Sequence, residues 1–322
     1  MALPTSLIRY ASFETEANTI TCATATGFII VNASNGNIIS NCTITGHSAF
    51  PNGTRYVSTI GNSNIVAITP NTDVCPNVYI WDRKKNQELT CTKFNESVCG
   101  IRLRPDLLVA ATSKQIQVRS LYDFHTISTF DTAFNKFGVF DIPATLSSSL
   151  IAFPSPDIGV VTICNFLDPS FKPLYVHAFK TPLLFIKFSD NGRLLAVAGD
   201  DGKNIAVFSV PSMKQIVTLR RGSTESQILA MSFEPHGTQL AVVSEKGTLH
   251  VFAIAWAEQE VDPHAPARAP VKLKDSDDHP GWVSFSAKTL KLCGVTGQGQ
   301  IFEVVFDDQM KASLKILTAV IR

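Results

Sequence analysis

Lys187–Val210 reads KFSDNGRLLAVAGDDGKNIAVFSV, and Ser232–Ile254 reads SFEPHGTQLAVVSEKGTLHVFAI. The two segments line up on Phe208 and Phe252, which stand 44 residues apart. That spacing lies within the ~40–45 residues of a four-stranded propeller blade. Each copy reads as a strand, a turn at Asn191-Gly192 or His236-Gly237, a strand, an acidic glycine turn and a third strand, with a fourth to follow.

Working outward, weaker copies appear at Asn64–Asp82, Leu107–Leu121, Ser149–Ile163 and Leu290–Phe306. Their apolar runs are short, rich in Val, Ile, Thr and Phe, and stop at Gly, Asn, Asp, Pro or Ser. No sustained 3.6-residue apolar stripe predicts a helix. Gly46-His47 and Trp81-Asp82 leave one loosely spaced trace of the GH…WD blade signature. The expectation is an all-β chain, 1–322, forming a single seven-bladed, WD40-like β-propeller with four-stranded antiparallel blades. Units begin near residues 6, 54, 98, 138, 183, 227 and 282. Two separate sandwiches would leave the 44-residue self-match without a cause. The longest interruption runs from Ala255 to about Gly281, inside or just after the sixth unit, and is rich in Pro, Ala and charge.

Composition agrees. Of 322 residues, 45% are hydrophobic and 17% charged, enough for a sizeable core and too apolar for a solvated, disordered chain. Lys+Arg at 28 against Asp+Glu at 27 leaves a net charge of +1, which excludes a general nucleic-acid binder. Seven scattered cysteines without a C-x-x-C pair predict free thiols, not a disulfide framework or a zinc site. The N-terminal residues lack a signal peptide's basic start and long apolar core, and no apolar run approaches the ~20 residues of a membrane span. The expected setting is cytoplasmic, with peripheral membrane contact at most and no cofactor or metal.

Leu219-Arg220-Arg221-Gly222 closes the fifth unit. Adjacent strand residues point to opposite sides, so Arg220 and Arg221 would face two different clefts. Arginine's planar fork suits two-point contact with phosphate oxygens, although a bare Arg-Arg-Gly reads equally well as a solvated strand end. Downstream come Ser244, Thr248 and His250, which supply hydroxyl and imidazole groups. Thr248 and His250 share one face of a strand. Propeller strands also use such residues simply to link one another.

The order Leu219-Arg-Arg-Gly222, then Ser244-x-x-x-Thr248-x-His250, resembles the PROPPIN family, seven-bladed propellers that bind polyphosphoinositides and include the WIPI proteins of autophagy. Asn77–Leu121 is similar to the family's second and third blades, and Ser148–Ile163 to its fourth. The match is nearer to the family's shorter branch. The resemblance implies two lipid-headgroup sites on the rim, reading phosphatidylinositol 3-phosphate and, as a second ligand, the 3,5-bisphosphate. Carried over, the blade-six site is Arg221, Ser244, Thr248 and His250. The blade-five site keeps Arg220 and Lys180, with Lys203 as a substitute phosphate ligand. There Gly199 replaces the serine and Lys203 the threonine, Ala206 stands where the family commonly has Arg, and Phe179 stands where it has His, so a weakened first site is expected.

The resemblance further implies a membrane-dipping loop in blade six, here carried by Trp256 with Ile254 and Ala255, although Glu258, Glu260 and Asp262 follow at once. Trp256 could equally cover the blade edge. A partner surface near Pro70, Asp73 and Pro76, with Arg83 and Lys84, is implied for an autophagic lipid-transfer protein or another autophagy factor. No G-x-S-x-G, H-E-x-x-H or Gly-rich phosphate loop appears, so an enzyme is not expected. The rival reading is a WD-repeat scaffold that binds proteins and ignores lipid.

Overall fold

The computed structural model describes residues 8–14, 18–210, 212–254, 268–272, 281–287, 289–306 and 312–319. They form seven antiparallel sheets and, among the described residues, no helix. Six sheets have four strands. Each sheet is a meander, its strands hydrogen-bonded in chain order. At Gly202 the backbone takes φ +55°, and an added Cβ would lie 2.0 Å from Ser226 O, so only glycine fits.

Strand residues alternate between two neighbouring blades, which explains runs apolar on both faces. In blade five, Ile205 and Val207 pack with Leu240, Val242 and Phe252 of blade six. Ala206 and Phe208 turn the other way, onto Val161 and Val176 of blade four. Seven such apolar layers separate the seven blades, and the one joining Val295 and Ile301 of blade seven to Ile20 and Val31 of blade one closes the ring. The propeller expected from the repeat is the architecture found.

Inner strands are also tied side chain to backbone, one blade to the next. The Leu103 N–H donates to Ser58 Oγ (2.9 Å), Phe188 N–H to Asp141 Oδ2 (2.8 Å) and Phe285 N–H to Ser232 Oγ (3.0 Å). These strands line a central cavity of about 810 Å³.

Blade four departs from the four-stranded rule. Its sheet contains Leu150–Pro154, Val160–Asn165 and Leu174–His177, and the inner position is held by a single bridge between Asp141 and Ala152. Asp141 makes up the lost ladder with charge. It pairs with Arg102 of blade three (2.5 Å) and Lys187 of blade five (3.2 Å).

Blade six departs from the expected interruption between Ala255 and Gly281. Arg268–Lys272 pairs with Thr248–Ala253 as this blade's fourth strand. All seven thiols are free; burial pushes Cys22 up to about 12 and Cys293 up to about 11.

Candidate functional site

The outer strand of blade five, Lys214–Arg220, pairs with Asn204–Ser209 so that Asn204 opposes Arg220 and Ala206 opposes Thr218. The ladder does not stop at Arg220. The N–H groups of Arg221 and Gly222 both donate to Lys203 O, at 2.8 and 3.3 Å. The pleat therefore carries through the arginine pair. Arg220 lies on the side of Thr218 and Ala206, toward blade four, and Arg221 on the side of Leu219, toward blade six.

On the blade-four side, Arg220 is exposed and helps line a cavity of about 370 Å³ with Lys203, Asn204, Thr218, Gly222 and Ser223. Asn204 and Thr218 offer neutral hydrogen-bonding groups that sequence reading missed. The pairing makes Asn204, not Lys203, the counterpart of Thr248, because both open the third strand of their blades. The turn after Gly199 holds one residue more than the turn after Ser244, and that extra residue displaces Lys203 into the turn. Its ammonium group lies 2.9 Å from Glu225 Oε1, and that hydrogen bond raises the Lys203 pKa while lowering that of Glu225. Lys180 is exposed in the segment between blades four and five and is not among the cavity's lining residues. Phe179 packs into the apolar layer there.

On the blade-six side, alternation puts Ser244 with Leu240 and Val242, and Thr248 and His250 with Phe252, on the face turned toward blade five. Arg221, Ser244 and His250 are 7%, 0% and 6% exposed, and Thr248 is half-buried. Burial first, then the neighbouring Arg221 charge, push the His250 pKa down to about 4, so the ring is neutral at physiological pH. Ser244 Oγ and His250 Nδ1 are buried without a hydrogen-bond partner among the described residues. Orphaned buried polar atoms are costly, and two beside a guanidinium are the feature a ligand would relieve.

Arg221 itself is engaged. Its Nε donates to Gly202 O and its Nη2 to Thr224 O, both at 2.5 Å, which ties the blade-five turn to the following loop. The two clefts are thus unlike: the blade-five cleft is open with a projecting arginine, whereas the blade-six cleft is closed around an arginine held by carbonyls.

Trp256, Ala255, Glu258, Glu260 and Asp262 lie outside the described residues. Ile254 does not serve as a membrane contact, because it is 3% exposed within the apolar layer between blades five and six. In blade two, Pro70 is buried at the end of Ile65–Pro70, while Asp73 and Val74 project. The loop is fastened by Cys75 N–H to Ser97 Oγ (3.1 Å) and Phe94 N–H to Pro76 O (2.7 Å). Arg83 sits at the far end of Asn77–Asp82, where its Nε donates to Ser63 O (3.0 Å), so it does not join this loop.

A seven-bladed propeller whose fifth-blade arginines part toward two rim clefts is a recognisable class of protein. The PROPPIN family model matches residues 7–267, and the chain belongs to that family. Similar curated proteins include autophagy-related protein 18 of Mycosarcoma maydis, 26% identical over 70% of this chain and 56% of that protein. SVP1-like protein 2 of Emericella nidulans is 28% identical over 71% of this chain and 66% of that protein. The matches to these relatives therefore span less than two thirds of their lengths. Among solved structures, Hsv2 of Kluyveromyces marxianus superposes with a TM-score of 0.79 at 22% identity, covering 97% of both chains. A complex of KlAtg21 with the coiled coil of AgAtg16 gives 0.80 at 16% identity, covering 96% of this chain and 98% of that one. Among the described residues, no helix is long and apolar enough to cross a membrane.

Proposed function

We propose that this PROPPIN propeller is a non-catalytic phosphoinositide effector. It reads phosphatidylinositol 3-phosphate, and the 3,5-bisphosphate, on a membrane surface and brings an autophagy factor there. The observation that carries the reading is the parting of Arg220 and Arg221 toward two clefts, one of which buries the unpartnered Ser244 Oγ and His250 Nδ1. Guanidinium, hydroxyl and imidazole donors together suit a phosphate monoester. Two modest contacts on one rigid rim give avidity that a single pocket lacks. The family resemblance adds Trp256, a residue type that favours the membrane interface, as a further lipid contact.

The projecting Asp73–Pro76 loop is the proposed partner surface, and the KlAtg21 complex points to a coiled-coil segment as one form of partner. The placement is cytoplasmic and peripheral, on phagophore, endosomal or vacuolar membranes.

A second reading, a protein scaffold that ignores lipid, draws on the carbonyl contacts of Arg221, which give that arginine a structural use. Flotation with vesicles containing phosphatidylinositol 3-phosphate separates the two. The effector reading expects binding above phosphatidylinositol controls, weakened by Arg220→Ala and by Ser244→Ala/His250→Ala. Undiminished binding in both variants, or none by the unaltered chain, sinks it.

A further inference from the structure

We propose that Glu225 tunes the blade-five cleft to a headgroup carrying one phosphate monoester and sets it against a second. The inference rests on the effector reading above and adds the ligand class of one cleft. Its basis is the local charge inventory. Arg220 and Lys203 are the two cations lining the cavity. Lys203 is already engaged, with Glu225 Oε1 at 2.9 Å. Asp201 also acts on Lys203 through its charge. Ala206, 2% exposed on the same face, contributes only a methyl group. Arg220 is left as the lining cation whose guanidinium has no partner among the described residues.

One phosphate monoester carries about −1.5 to −2 charges at neutral pH. Arg220 can take it through its fork, with Asn204, Thr218 and Ser223 supplying neutral contacts around the cavity. A second phosphate would find Lys203 neutralised and a carboxylate beside it. It would have to displace Glu225 or bear its repulsion.

Glu225 is not placed there by chance rotation of a free loop. Ser226 N–H donates to Asp201 O (3.1 Å), Gly222 N–H to Lys203 O (3.3 Å), and Lys246 N–H to Ser226 Oγ (3.3 Å). These bonds pin the Gly222–Ser226 loop against the turns of blades five and six. The charge of Lys246 acts on Glu225 from the second turn.

The test uses the full chain carrying Thr248→Ala, which weakens the blade-six cleft, with and without Glu225→Gln. Binding is measured to vesicles bearing phosphatidylinositol 3-phosphate or the 3,5-bisphosphate, and by calorimetry to the soluble deacylated headgroups glycerophosphoinositol 3-phosphate and 3,5-bisphosphate, which keep the 1-phosphate as a diester. Glu225→Gln should shift the preference toward the doubly phosphorylated headgroup by about two- to fivefold, the scale of an exposed ion pair. Adding Arg220→Ala should erase the shift. A preference unchanged by Glu225→Gln, or a shift that survives Arg220→Ala, overturns the inference while leaving the effector reading intact. A shift seen with the soluble headgroups but no binding to either vesicle keeps the charge assignment and overturns the lipid source. Failure of every ligand to bind overturns both.

Discussion

The ring of His250 lies parallel to that of Phe252, with 5.9 Å between centroids and 9° between planes. The imidazole is therefore held flat on the apolar layer between blades five and six, with Nδ1 turned toward no partner among the described residues. Its neutrality follows from this seat. Charging it would put a cation against an apolar wall and beside Arg221.

Acid should weaken the fold through this residue. The folded pKa is about 4 and the ordinary value 6.5, so between them the unfolded chain binds a proton that the folded chain refuses. The contribution is complete above pH 6.5 and is lost as pH falls toward 4. Discounted for solvent at the cleft mouth, it amounts to about 1–2 kcal/mol. Urea titrations at pH 7 and pH 4.5 should show a smaller drop for His250→Phe than for the unaltered chain; equal drops would refute the assignment.

The two arginines should separate in a melting experiment. Arg220→Ala removes an exposed side chain and should leave Tm nearly unchanged. Arg221→Ala abandons Gly202 O and Thr224 O and should cost about 1–3 kcal/mol. Substituting both arginines together would therefore mix folding with binding. Equal Tm values for the two variants would contradict the geometry.

Gly202→Ala should destabilise the strip between the clefts. The added methyl meets Ser226 O at 2.0 Å, and the backbone is already at φ +55°. A loss of about 1–3 kcal/mol in chemical denaturation is expected. Gly222, whose added Cβ would meet nothing within 4 Å, is the control and should tolerate alanine.

Asp141→Asn tests the inner wall of blade four. The carboxylate is 3% exposed and answers both Arg102 and Lys187. Neutralising it leaves two cations facing each other and should cost about 3 kcal/mol, read as a lower urea midpoint at unchanged m-value. A stability within 0.5 kcal/mol of the original would place the pairing energy elsewhere.

The propeller was legible because its cause is periodic. Phe208 and Phe252 repeat a packing position, and short strands apolar on both faces leave few other folds. What escaped reading was local. Asn204 was hidden by one extra turn residue, since alignment by residue type favoured Lys203 and only the ladder shows which residue opens the strand. Glu225 lies in a loop whose course depends on the missing Cβ of Gly202. The parting of Arg220 and Arg221 follows from the strand pleat. The engagement of Arg221 with backbone carbonyls has no sequence signature, because it depends on how two turns meet. Arg268–Lys272 was masked by the surrounding Pro- and charge-rich composition.

The single bridge at Asp141 has a kinetic meaning for the circle of blades. Elsewhere each inner strand pairs with its neighbour over four to six residue pairs, a ladder that opens only by breaking several amide hydrogen bonds together. In blade four the amides flanking Asp141 lack that cooperative neighbour and rely on a carboxylate clasped from both sides. The circumference thus has a seam. Its amides should exchange with solvent earlier than those of Leu194–Gly199 or Gln239–Ser244, and strain applied to the ring would find its first release there.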